Sequence, residues 1–93
     1  MMAAVTEQLH PAEKARARTL VLYCQKSRWR FAIYSDEGIA CGVLLDLPPD
    51  AHPEQAQAAL LREAERASGM TYVAGWKLDK PGWWSTDLDV EAR

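Results

Sequence analysis

The chain has 93 residues and a mass of 10.4 kDa, enough for one domain and too little for two that each bury a core. An apolar fraction of 48% beside a charged fraction of 26% excludes wholesale disorder, and a net charge of −2 excludes a polycation. Two cysteines do not make a disulfide scaffold; four tryptophans are the one unusual feature of composition.

No apolar run approaches the ~18 residues needed to span a bilayer. The first ten residues carry Glu7 and lack an apolar core segment, so no secretory signal is read and a cytoplasmic location is expected, without a membrane partner. No Gly-rich phosphate loop, HExxH, CxxC or GxSxG occurs. His10 and His52 each precede a proline and read as turn residues, so neither a metal nor a cofactor is expected.

In chain order, Thr6 to Arg18 has helical composition interrupted at His10-Pro11, and the better helix begins at Pro11. Its apolar positions Ala12, Ala15 and Ala17 bury little, so residues 1–18 read as an arm or short helix. Thr19–Cys24 and Trp29–Tyr34 are rich in strand formers and are joined by the polar Gln25-Lys26-Ser27-Arg28. Ser35-Asp36-Glu37-Gly38 is a second turn, and Ile39–Leu45 a third strand ended by Pro48-Pro49. Pro53–Ala67 is the clearest helix, with Ala56, Leu60, Ala64 and Ala67 as its apolar stripe and Arg62, Glu63, Glu65 and Arg66 on a solvated face. Ser68-Gly69 stops it. Met70–Leu78 is a fourth strand, Lys80-Pro81-Gly82 a turn, and Trp83-Trp84 precede an acidic tail, residues 87–93, with Asp87, Asp89 and Glu91.

The expectation is an α+β fold in the order α-β-β-β-α-β. An antiparallel three-strand meander and a fourth strand pack under one main helix, with residues 19–86 as the domain. Helix–three strands–helix is also the order of double-stranded RNA-binding domains. That family carries a lysine cluster at the start of its second helix, where this chain reads Pro53-Glu54-Gln55-Ala56-Gln57. It also lacks a fourth strand, so its function is not carried over.

Register is tested by asking which pairing sets apolar residues opposite each other. Pairing Cys24 with Trp29 also pairs Leu22 with Phe31 and Leu20 with Ile33. Pairing Ile33 with Ile39 also pairs Phe31 with Cys41 and Trp29 with Val43. Both place Leu20, Leu22, Cys24, Trp29, Phe31, Ile33, Ile39, Cys41, Val43 and Leu45 on the core face. Cys24 and Cys41 are then buried thiols two strand spacings apart, about 9.5 Å, beyond the ~7 Å reach of a disulfide. The opposite face carries Val21, Tyr23, Arg28, Arg30, Ala32, Tyr34, Ala40, Gly42 and Leu44, with bare backbone at Gly42 beside Arg30.

Charge is uneven. Residues 1–40 hold six basic and four acidic side chains, net +2; residues 41–93 hold five and nine, net −4. Lys14, Arg16, Arg18, Lys26, Arg28 and Arg30 occupy a stretch with no acid in it. Cations interleaved with aromatic rings suit nucleic acid, neutralising phosphates and stacking on bases. The same residues also make ordinary cross-strand cation–π pairs on a solvated sheet.

Adjacent residues of a strand point to opposite faces, so Trp83 and Trp84 cannot share one core. One caps the core near Trp76, and the other is a candidate anchor for a partner, because Trp, Tyr and Arg are enriched at interface hot spots. The acids fall in turns, on the solvated helix face or in the tail, and no titratable set converges; catalysis is not expected. The reading is a small non-catalytic interaction module. Tyr23, Arg28, Arg30 and Tyr34 on the sheet, with Trp83 and Trp84, contact a protein partner or a second copy. Nucleic-acid binding through the basic 14–30 stretch is the alternative. An edge at Met70–Leu78 offers a route to a dimer.

Overall fold

The computed structural model describes residues 16–48 and 50–91. The first fifteen residues lie outside this range. So do Lys14, His10 and most of the expected N-terminal helix.

Among the described residues seven elements follow in order: β1 (Ala17–Gln25), β2 (Arg28–Ser35), β3 (Gly38–Val43), α1 (Pro53–Ser68), β4 (Tyr72–Ala74), β5 (Lys77–Lys80) and β6 (Trp83–Val90). They make a small α+β domain in which one antiparallel sheet has strands in the order β3-β2-β1-β6-β4, with β5 also pairing β6. Arg16 already stands at the mouth of β1, whose first residue Ala17 is buried, so the sheet begins inside the stretch expected as an arm.

β1 and β2 are joined by the two-residue turn Lys26-Ser27, both at positive φ (54° and 60°), the mirror-image turn whose twist matches the flanking strands. The register is the expected one: Cys24 faces Trp29, Leu22 faces Phe31 and Leu20 faces Ile33. β2 and β3 depart from expectation by one residue. Ile33 faces Ala40, Phe31 faces Gly42 and Arg30 faces Val43. The turn is the two residues Asp36-Glu37, and Gly38, opposite Ser35, takes φ 138°, a conformation that favours glycine. This slip turns β3 over. Ala40 and Leu44 are buried, while Ile39, Cys41 and Leu45 are exposed and Val43 is half-buried. Gly42 therefore shares the core side with Phe31.

The cysteines are corrected with it. Both are free thiols, and both are exposed rather than buried: Cys41 lies on the outer face, and Cys24 stands at the open end of β1.

α1 starts with Pro53 in its first turn, and the backbone N–H of His52 donates to the Gln55 side-chain oxygen at 3.0 Å, satisfying a group that a helix start leaves open. It ends at Gly69, whose left-handed φ of 74° lets its N–H donate to the Glu65 carbonyl at 2.8 Å. Ala56, Leu60 and Ala64 are buried with Leu20, Leu22, Phe31 and Ile33 in one core cluster. Glu63, expected in solvent, is buried and ion-paired with Arg66 one turn on.

The largest departure is in the C-terminal third. The expected fourth strand is two short ones, β4 and β5, separated by Gly75-Trp76. The expected acidic tail is instead half of a strand. β6 runs to Val90 and inserts between β1 and the short strands, with Leu20 opposite Thr86 and Leu22 opposite Trp84. Thr86 is buried; its hydroxyl accepts the Gly75 N–H at 2.8 Å and donates to the Asp87 carbonyl at 2.9 Å, fixing the crossing from β4 to β5.

Candidate functional site

α1 covers one face of the sheet. On the other, no described helix or strand packs across β1, β2, β3 and β6. Residues opposite one another in an antiparallel pair share a face, so the registers fix its membership. One row crosses five strands: Lys80, Trp83, Tyr23, Arg30 and Val43. The next holds Lys77, Ser85, Val21, Ala32 and Cys41, and the one after it Asp87, Thr19, Tyr34 and Ile39.

The first row is tightly organised. The Tyr23 and Trp83 rings stack with centroids 4.2 Å apart and planes 6° from parallel, and the Lys80 ammonium sits 4.6 Å from the Trp83 ring centroid. The negative π face of the indole attracts that cation. Rings stacked along the row turn their edges, not their faces, to solvent. Arg30 continues the row on the far side of Tyr23, half-buried.

The adjacent tryptophans divide as strand geometry requires. Trp84 faces α1 and tilts against the buried Trp29, centroids 5.7 Å apart and planes at 45°; Trp83 faces outward. Of the six residues expected to contact a partner, Tyr23, Arg28, Arg30, Tyr34 and Trp83 therefore share the open face, and Trp84 does not. Trp76 packs against the core edge, as expected.

Lys77 and Lys80 join the face without having been expected there. Alternation signals Lys77 alone, opposite in face to Leu78; Lys80 reaches the face through the register shift between Leu78 and Lys80, which the residue pattern does not show. The face is also dipolar. Lys80, Arg28 and Arg30 gather toward the Gln25 end of β1, Lys77 stands level with its middle, and Asp87 and Asp89 lie toward its start, where the Thr19 hydroxyl donates to Asp87 at 2.9 Å.

The described members of the basic 14–30 stretch do not form one patch; Lys14 lies outside the described residues. Arg16 donates from Nη2 to the Leu88 carbonyl at 2.7 Å. Arg18 grips Asp36 through two nitrogens, Nε to Oδ1 at 2.8 Å and Nη2 to Oδ2 at 3.1 Å. That hydrogen-bonded fork holds the Asp36 carboxyl below the ordinary aspartate range and the guanidinium above its own. Lys26 occupies the β1–β2 turn, leaving Arg28 and Arg30 on the open face.

Among the described residues no group of three or more His, Cys, Asp and Glu is placed to hold a metal ion, and no helix is long and apolar enough to cross a membrane. Compared with known proteins, the chain matches no family model, no curated protein and no solved structure.

Proposed function

We propose that the chain is a non-catalytic interaction module whose open sheet face binds a protein partner, with Trp83, Tyr23 and Arg30 at the centre of the contact. The observation that carries this reading is the row Lys80–Trp83–Tyr23–Arg30 on a face that no described element covers. Aromatic and arginine side chains already held by their neighbours lose little freedom on binding, which is what makes them effective anchors.

Geometry weighs against the nucleic-acid alternative. Base stacking needs a free ring face, and Trp83 has Tyr23 parallel to it and Lys80 close to its ring. A strand laid along the sheet also runs from the cations onto Asp87 and Asp89.

The test is affinity capture from cell extract with wild type, Trp83→Ala, Arg30→Ala and the helix-surface control Glu54→Ala as baits. A protein retained by wild type and by the control, and lost from both face variants, supports the reading. Equal capture by all four overturns it. Salt-sensitive quenching of tryptophan fluorescence by single-stranded RNA or DNA transfers the face to the alternative.

A further inference from the structure

We propose that the chain self-associates edge to edge through β3, joining two sheets into one across a two-fold axis near Cys41. The surface is distinct from the face proposed above, and the two stand or fall separately.

A sheet edge carries a row of unpaired backbone donors and acceptors, and folded domains ordinarily guard it with short strands, charge, proline or bulges. At one side this sheet is guarded. β4 has three residues, and β5 has four, of which Lys77, Asp79 and Lys80 are charged. β3, at the other side, has none of these guards. It is the six residues Gly-Ile-Ala-Cys-Gly-Val, without charge, proline or register shift.

The hydrogen-bond pattern shows which groups are free. Ser35 and Gly38 flank a two-residue turn, and the Leu44 N–H donates to the Trp29 carbonyl at 2.8 Å. Alternation along the ladder then directs Gly38, Ala40, Gly42 and Leu44 toward β2. Ile39, Cys41 and Val43 direct their N–H and C=O groups away from the sheet. Antiparallel pairing about Cys41 satisfies these three on each copy, setting Ile39 against Val43 of the second copy and Cys41 against its own equivalent.

Charge selects a second copy and its direction. The acidic turn Asp36-Glu37 opens β3, while Lys26 and Arg28 line a shallow pocket with Leu45 just beyond its other end. Antiparallel pairing carries Glu37 to Leu45 of the second copy, beside that basic pair. Parallel pairing would set acid on acid. Residues 39, 41 and 43 of both copies lie on the open face, so the joined sheet doubles that face without interrupting it.

The experiment is sedimentation from low micromolar to millimolar protein, paired with short-arm bismaleimide crosslinking of Cys24→Ser. Wild type and Cys24→Ser are expected to reach twice the 10.4 kDa monomer mass, and Cys24→Ser to crosslink at Cys41. Ile39→Lys replaces an exposed side chain; it is expected to keep its circular dichroism while remaining monomeric. Val73→Lys, on the guarded edge, is expected to associate as wild type does. A monomer at every concentration overturns the proposal, as does association abolished by Val73→Lys but not by Ile39→Lys. A monomer whose Cys41 resists alkylation also overturns it and gives the edge to another occupant, residues 1–15 included.

Discussion

The Tyr72 hydroxyl accepts the backbone N–H of Ala17 at 2.9 Å, fifty-five positions away in sequence. Its own O–H donates to Ser68 Oγ at 2.8 Å, so one buried oxygen ties the start of β1 to the end of α1. Tyr72→Phe keeps the ring and leaves a buried N–H without an acceptor. The expected cost is about 1–3 kcal/mol, seen as a lower urea midpoint with an unchanged slope.

Neighbouring leucines report the β3 register. Leu44 is 2% exposed and Leu45 48%. Leu44→Ala is expected to cost about 2–5 kcal/mol through lost contact and a cavity, and Leu45→Ala within about 0.5 kcal/mol. A slip of one residue reverses the two values, so a pair of urea titrations decides between registers.

The Arg18–Asp36 fork sets a pH dependence whose sign follows from the lowered carboxyl. A group with a depressed folded-state pKa stabilises above its unfolded pKa and loses that effect as pH falls through the folded one. Wild type is therefore expected to exceed Asp36→Asn in stability at neutral pH, and the gap is expected to close below the ordinary aspartate range. Both partners are solvent-exposed, so the gap is small and shrinks with added salt. Paired urea titrations across acidic pH, at two salt concentrations, check both signs.

Thr86→Val removes the hydroxyl that receives the Gly75 N–H while keeping the side chain's shape. Gly75 is exposed, so water can reach the freed donor, and a loss of about 0.5–1.5 kcal/mol is expected, with faster amide exchange at Gly75 than at core positions such as Leu22. Uniform acceleration across the sheet would refute the local role given to Thr86.

How much of this was legible depended on how sharply each segment alternates. β1 and β2 carry large apolar residues at every second position, and the register that matches them is the observed one. β3 reads Ile39-Ala40-Cys41-Gly42-Val43-Leu44-Leu45, nearly all apolar, so pattern alone cannot choose a face. Side-chain size favours Ile39 and Val43 for the core, yet the two-residue turn at Asp36-Glu37 puts Ala40 and Leu44 there. For β6 the signal was present. Trp84, Thr86, Leu88 and Val90 alternate with Ser85, Asp87 and Asp89, the pattern of a strand with one wet face, but the carboxylates make it look like a tail. The separation of Trp83 from Trp84 needed only adjacency; which one faces outward needed the β6 register.

β6 has a further consequence, which is kinetic. Thr19 and Asp87, bonded across β1 and β6, stand 68 positions apart. β1, β2 and β3 are joined by two-residue turns and close locally, whereas β4 and β5 reach the sheet only through β6. Assembly therefore waits on one long-range closure, the arrangement that slows folding at a given stability. In refolding, the signal from Trp84 docking on Trp29 is expected to trail formation of the β1–β3 meander, and simultaneous formation in stopped-flow measurements would contradict that order.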